Sequence, residues 1–80
     1  MITPDDLTDY LQRAHPDARV TVVDRTGTLD HFKVTVVSGD FDGQNRLNRQ
    51  RMVYRALSEP MGDGRIHALE VTARTPNEPD

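Results

Sequence analysis

Two histidines, His31 and His67, are the residues of this sequence whose side chains could do metal chemistry together. Neutral imidazole is the commonest metal ligand in proteins, and it suits zinc, copper and iron. His31 opens the strand-like segment "HFKVTVV", and His67 lies near the start of "RIHALEVTA". Parallel neighbouring strands begin at the same edge of a sheet, about 4.8 Å apart. If these two strands are parallel neighbours, the sequence predicts both imidazoles at one corner of the fold.

Two imidazoles are too few for a closed structural metal site, and the 80-residue chain has no cysteine to complete one. An external molecule would therefore have to supply the remaining ligands. A structural role is the alternative, in which His67 hydrogen-bonds a loop backbone and His31 caps its strand. Strand alternation also places His67 on the same face as Leu69 and Val71, the face that we expect to be buried.

The elements that must position the histidines follow from local signals. Thr3, Pro4 and Asp6 have the residue types of a helix start with a capping box, and Pro16 ends that helix. β-Branched residues predict strands at 19–24, 31–37 and 65–73. A helical region at 45–59, which could be divided in two, precedes Pro60 and two glycines that we expect to stop it.

The connections between these elements predict one α+β domain. The short link between the first two strands favours an antiparallel pair, and the helix-containing link makes the third strand parallel to the second. We therefore expect a mixed three-stranded sheet in the order 1-2-3 with the helices packed on one face. The domain would cover residues 1–76, and the polar, proline-bearing residues 77–80 are predicted to be a disordered tail.

Four arginines of the second helical region are a candidate phosphate-binding group: Arg46, Arg49, Arg51 and Arg55. The alternative is an ordinary solvated helix face. The net charge of −3 argues against a protein that binds nucleic acid by charge alone. His15 follows the end of the first helix, where a cation suits the helix dipole, and we interpret it as structural.

Enzymatic and membrane functions find no support in the sequence. Neither Ser38 nor Ser58 stands in a nucleophile elbow, and no phosphate-binding loop or dinucleotide fingerprint is present. No apolar run approaches the length of a membrane span, and the acidic N-terminus has the wrong sign for a secretory leader. We therefore expect a cytoplasmic protein that is not an enzyme and does not bind membranes.

Three segments, "DHFKVTVVSGDFDG", "NRQRMVYRAL" and "RIHALEVTARTP", occur in an order and spacing that resemble the BolA family. The resemblance runs over about residues 7–76, and it is nearest to short bacterial members with histidine in the loop before strand two. It implies an α-β-β-α-α-β fold like the second type of KH domain. It also implies a helix-turn-helix-like element in the helical region.

The resemblance further implies a partner and a cofactor. Family members pair with monothiol glutaredoxins and hold a bridging [2Fe–2S] cluster, for which His67 corresponds to the C-terminal ligand and His31 to the second, more variable one. A glutaredoxin cysteine and a glutathione thiol would supply the other two ligands. The implied function is iron–sulfur handling or iron regulation, with no cofactor expected in the isolated chain. The free protein would be a monomer or weak dimer.

A second implied function is a DNA-binding transcriptional regulator that uses the arginine-bearing region. Two departures from the family pattern bear on nucleic-acid binding. Gln50 stands between Arg49 and Arg51, where the family often has histidine, and "GQNR" replaces the GxxG signature of KH domains. RNA binding by analogy of fold is therefore weakly supported.

Overall fold

A computed structural model of the chain describes residues 2–27, 29 and 31–78. Its helices and strands follow in the order α1 (Pro4–Ala14), β1 (Arg19–Asp24), β2 (His31–Val37), α2 (Arg46–Ala56), α3 (Ser58–Gly62) and β3 (Ala68–Arg74), with a 3-10 turn at Gly39–Phe41. β2 lies in the middle of the sheet, antiparallel to β1 and parallel to β3. The predicted α+β class, strand order and mixed sheet are confirmed. The predicted tail at 77–80 includes Pro79 and Asp80, which lie outside the described residues.

The first helix begins where its capping residues predict. The Asp6 backbone N–H donates to Thr3 Oγ1 at 3.1 Å, and the Thr3 backbone N–H donates to the Asp6 carboxylate at 3.1 Å. Ile2 and Leu7, which flank this box, are both fully buried. Both belong to the same core cluster, at the two positions of a hydrophobic staple, which sets the angle at which a chain enters a helix. The helix ends at His15, whose backbone N–H donates to the Leu11 carbonyl.

The core lies between the helices and one face of the sheet. Phe32, Val34 and Val36 alternate along β2 and are buried, whereas the neighbouring Lys33 is exposed on the opposite face. The remaining buried apolar residues come from the other elements and the links between them: Ile2, Leu7, Leu11, Ala18, Phe41, Val53, Leu57 and Ile66. In the part of the chain that the structure describes, no helix combines the length and apolar character that crossing a bilayer requires.

The helical region after β2 is divided at Leu57, and the prediction that Pro60 stops it is wrong. Pro60 lies inside α3 and is buried. Proline is tolerated there because the backbone N–H groups of the first helical turn have no partner within the helix. Gly64, which has a φ of +84°, follows the actual end of the helix at Gly62.

The structure does not support the implied helix-turn-helix. That motif joins its two helices by a turn of about three or four residues. Here Leu57 alone separates α2 from α3, and α3 has only 5 residues. A helix of this length is too short to serve as a recognition helix in a DNA groove.

The third strand begins later than the sequence predicts, at Ala68 rather than at residue 65. The Ile66 backbone N–H donates to the Pro60 carbonyl at 3.1 Å, so this residue is bound to α3 instead of the sheet. The ladder also starts only where β2 provides a partner, which is His31 opposite Ala68. Alternation therefore does not extend to His67.

Candidate metal-ligand site

His31 and His67 meet at the edge of the sheet where β2 and β3 begin. His31 is the first residue of β2, and His67 immediately precedes β3. Their ring centroids lie 6.2 Å apart, with 63° between the ring planes. Two nitrogens that share one metal ion each lie about 2 Å from it. The ring centres are close enough for modest side-chain rotation to bring one nitrogen of each ring onto a single ion.

The prediction that His67 occupies the buried face is wrong, because its side chain is exposed and that of His31 is half-buried. The late start of β3 causes this difference, since His67 is not part of the alternating strand. Its exposure matters for chemistry, because a ligand contributed to a shared site must be reachable by another molecule.

Asp24 hydrogen-bonds to the two described residues of the loop before β2 that have left-handed backbone conformations. Asp24 accepts hydrogen bonds from the backbone N–H groups of Gly27, at 3.1 Å, and Leu29, at 3.0 Å. Gly27 and Leu29 have φ values of +75° and +58°, a left-handed conformation that is unusual for leucine. The Arg25 N–H also donates to the His31 carbonyl at 2.9 Å. These bonds fix the backbone of His31.

The segment before His67 is anchored by an arginine. Arg65 Nε lies 2.9 Å from the Asp63 carboxylate, and its Nη2 donates to Tyr10 Oη at 3.1 Å. Hydrogen bonding to Arg65 lowers the pKa of the Asp63 carboxyl, so the pair is ionised at neutral pH. Ile66, the next residue, is buried. The chain is therefore fixed up to the residue before the exposed imidazole.

A surface pocket of about 340 Å³ adjoins His31, and its lining includes Arg25 and Glu70, which the sequence did not single out. Phe32 and Leu69 contribute apolar surface, whereas Arg25 and Glu70 form an ion pair of 2.6 Å at the pocket. Arg25 and Glu70 are 45 positions apart, so no local pattern could have predicted their contact. The pocket offers space beside His31 for a side chain of another molecule.

The two imidazoles form only part of a metal site. Within residues 2–27, 29 and 31–78, no group of three or more histidines, aspartates, glutamates or cysteines is placed to hold a metal ion. The pair can therefore contribute two nitrogen ligands to an ion whose other ligands come from elsewhere. Asp30, the carboxylate next to His31 in sequence, lies outside the described residues.

His15 is not assembled with the other two histidines. Its Nδ1 lies 2.7 Å from Asp40 Oδ2, and its ring is buried with its centroid 5.4 Å from that of Phe41. This imidazole joins the end of α1 to the 3-10 turn after β2. The contacts are those of a structural residue.

The four arginines of the candidate nucleic-acid site do not present one common surface. Arg49 is bound in a bidentate ion pair to Glu78, with distances of 2.6 and 3.1 Å. Arg46, Arg51 and Arg55 are exposed. At about 100° per residue, Arg51 and Arg55 point away from the side of α2 that carries Arg46. DNA binding stays a prediction, without a continuous row of arginines to support it.

The fold agrees with that of a family of small α+β proteins. The family model described as "BolA-like protein" matches residues 9–78, so the chain belongs to the BolA-like family. Human BolA-like protein 1 is 50% identical over 50 residues, which are 62% of this chain and 36% of the human protein. The acid stress protein IbaG of Escherichia coli is 43% identical over 53 residues, covering 66% of this chain and 63% of IbaG. The chain thus spans little more than a third of the length of the human relative.

Solved structures agree with this assignment. BolA1 from Arabidopsis thaliana has a TM-score of 0.86 and 28% identity, with both chains covered completely. The BolA domain of SufE1 from Arabidopsis thaliana has a TM-score of 0.81 and 25% identity, with 91% of each chain covered. Yeast Fra2 has a TM-score of 0.75 and 29% identity, covering 92% of this chain and 80% of Fra2. The predicted family is confirmed.

Proposed function

We propose that this chain is a cytoplasmic, non-enzymatic adaptor that pairs with a monothiol glutaredoxin and contributes His31 and His67 to a bridging [2Fe–2S] cluster. The observation that carries the proposal is the pair of imidazoles 6.2 Å apart, one of them exposed. The chain has no cysteine, so a site built on this pair needs sulfur ligands from a second molecule. Membership of the BolA-like family supports the same partner.

The residues of the chain suit a shared cluster rather than an internal one. Iron–sulfur clusters are usually held by four protein thiolates, and histidine replaces two of them on one iron in some centres. The histidine pair would supply two ligands, and a glutaredoxin cysteine and a glutathione thiol would supply the other two. When bound, such a cluster supplies one-electron chemistry or transferable iron and sulfur, and histidine ligation raises its reduction potential. The hydrogen bonds of Asp24 and Arg65 order the backbone segments that lead to His31 and His67.

The test is co-expression of the chain with a monothiol glutaredoxin, followed by purification in glutathione and an absorption spectrum. We expect a coloured complex whose visible spectrum changes in His67→Ala, or whose cluster is lost faster on dilution, because one ligand is missing. The His67→Ala variant should still form the cluster-free complex with the glutaredoxin, because His67 is not part of the buried core.

Lys33→Ala is the matched control, because Lys33 is an exposed residue of β2 two positions after His31. This variant should keep the wild-type spectrum, whereas His31→Ala should change it as His67→Ala does. Identical spectra and cluster lifetimes in wild type and both histidine variants, at equal complex yield, would count decisively against cluster ligation by the pair.

A further inference from the structure

A second surface of the chain is a groove of about 590 Å³ between α2 and the outer edge of β3. Arg46, Arg49 and Gln50 line it from the helix, and residues 71–74 line it from the strand. Glu78 closes one side. The groove shares no lining residue with the pocket beside the histidines. A ligand bound in this groove would thus occupy a site separate from the histidine pair.

The outer edge of β3 has no paired strand among residues 2–27, 29 and 31–78. The Ser38 N–H donates to the Arg74 carbonyl, so the backbone of Arg74 faces β2. Because the direction of backbone groups alternates along a strand, the backbones of Leu69, Val71 and Ala73 face outward. Such an edge is a template for pairing with another extended segment.

In the described part of the chain, two side chains of α2 hydrogen-bond to this edge, one near each end. Tyr54 Oη donates to the Leu69 carbonyl at 3.3 Å, and Arg49 Nη1 approaches the Ala73 carbonyl at 3.5 Å. Val71 lies between these two contacts and lines the groove. From Leu69 to Ala73 the edge is about 13 Å long, which is enough for three or four residues of an added strand.

One end of the groove already binds a carboxylate. Glu78 Oε1 and Oε2 accept hydrogen bonds from the Arg49 guanidinium, and Oε1 also accepts the Thr75 backbone N–H at 2.7 Å. Hydrogen bonding to Arg49 and then to Thr75 lowers the pKa of Glu78 to about 2. The Arg49 side chain is 16% exposed and that of Glu78 is 41% exposed, so the arginine is held within the groove while the carboxylate stays accessible to a competitor.

The groove is positively charged on a chain that is negative overall. Among the described residues that line it, three are arginines, Arg46, Arg49 and Arg74, and one is a carboxylate, Glu78. The net charge of the whole chain is −3. A bidentate arginine beside backbone donors is suited to a carboxylate, and the open strand edge is suited to an extended backbone.

We propose that this groove binds an extended acidic segment of a partner protein, which adds to β3 as a fourth strand and places a carboxylate on Arg49 in place of Glu78. In this mode of recognition, main-chain hydrogen bonds give affinity and alternate side chains give specificity. Glu78 acts as an internal competitor, because it holds the carboxylate position while leaving the edge at Val71 unpaired. The geometry of the groove carries this proposal, which does not depend on the histidine pair.

The test uses the full chain, labelled with ¹⁵N, and a synthetic acetylated peptide of alternating valine and glutamate. Titration followed by amide chemical shifts should perturb Val71 and Ala73. Glu78→Gln should bind the peptide about tenfold or more tightly than wild type, because charge-assisted hydrogen bonds to the competitor are removed. The same peptide with glutamine in place of glutamate should bind neither protein.

Asp5→Asn is the matched control, since it removes one negative charge at an exposed residue of α1 outside the groove. It should bind like wild type, whereas Arg49→Gln should abolish binding of the acidic peptide. The proposal is overturned if Glu78→Gln shows no perturbation of the β3 amides. It is overturned equally if Glu78→Gln gains no affinity over Asp5→Asn, or if the neutral peptide binds as well as the acidic one.

Discussion

Ser38 illustrates how a single buried polar residue connects distant parts of this chain. Its side chain is fully buried, and its hydroxyl donates to Asp17 Oδ1 at 2.6 Å and accepts the Asp40 backbone N–H at 3.1 Å. Asp17 also accepts the Gly39 N–H at 2.8 Å. Hydrogen bonds from Ser38 and Gly39 lower the pKa of Asp17. The end of β2 is thereby tied to the segment that leads into β1.

We expect Ser38→Ala to lower the free energy of unfolding by about 1–3 kcal/mol, because it removes a charge-assisted hydrogen bond to Asp17 and the acceptor of the Asp40 N–H. Ser58→Ala, at an exposed serine in α3, should change it by no more than about 0.5 kcal/mol. Urea denaturation measures both values. Equal stabilities for the two variants would show that the Ser38 network contributes nothing.

At the scale of the elements, the sequence predicts strands whose signals are local. The predicted bounds of β1 and β2 agree with Arg19–Asp24 and His31–Val37, because alternation and β-branched content lie within the strands themselves. The predicted start of β3 was wrong by three residues. Its position depends on where β2 supplies a partner and on the bond between Ile66 and Pro60, and neither is visible in a local pattern.

The candidate site also has one part that the sequence could predict and one part that it could not. The meeting of His31 and His67 could be predicted, because the crossover rule makes their strands parallel and parallel strands begin at one edge. The bond between Arg49 and Glu78 joins residues 29 positions apart. Nothing in the local composition near position 78 indicates that contact, so the groove and its carboxylate were found only in the structure.

Ile66 is the link between α3 and β3, and we expect it to hold His67 in place. It is 3% exposed and its N–H binds the Pro60 carbonyl. Ile66→Ala should lower the free energy of unfolding by about 2–5 kcal/mol, because it leaves a cavity in the core. Urea denaturation with amide exchange of residues 65–68 tests both the stability and the local anchoring.

Leu47→Ala is the control for that change, because it also truncates a large aliphatic side chain but at a residue 57% exposed on α2. Its effect should stay within about 0.5 kcal/mol. If Ile66→Ala were no more destabilising than Leu47→Ala, the assignment of Ile66 as the anchor of the histidine segment would be incorrect.

At the scale of the whole molecule, one strand connects the two surfaces. His67 precedes the first residue of β3, and the groove follows the second half of the same strand. Asp24 and Arg65 make hydrogen bonds in the segments that precede His31 and His67. The groove is already filled at its charged end by Glu78. The two surfaces therefore make different demands on a partner. At the histidine pair it would supply the missing metal ligands, and at the groove it would displace Glu78.

The carboxylates of the molecule predict how its stability depends on pH. Hydrogen bonds hold the pKa values of Asp6, Asp17 and Asp63 below their ordinary value of 3.8, and that of Glu78 at about 2 rather than 4.5. The folded chain then binds fewer protons than the unfolded chain at acidic pH, so stability increases with pH in that range. This stabilisation is complete above the unfolded pKa values and is lost as the pH falls through the folded ones.

We therefore expect the free energy of unfolding to be nearly constant between about pH 7 and pH 5 with respect to these four groups, and to fall steeply between about pH 4 and pH 2. Glu78→Gln should lessen that fall, because its side chain cannot be protonated in this range, whereas Asp5→Asn, at an exposed carboxylate, should lessen it little. Urea titrations monitored by circular dichroism at several pH values provide the measurement. A stability that stays constant or rises on acidification would contradict the assigned hydrogen bonds. A Glu78→Gln profile that matches wild type would show that Arg49 does not hold the Glu78 carboxylate in solution.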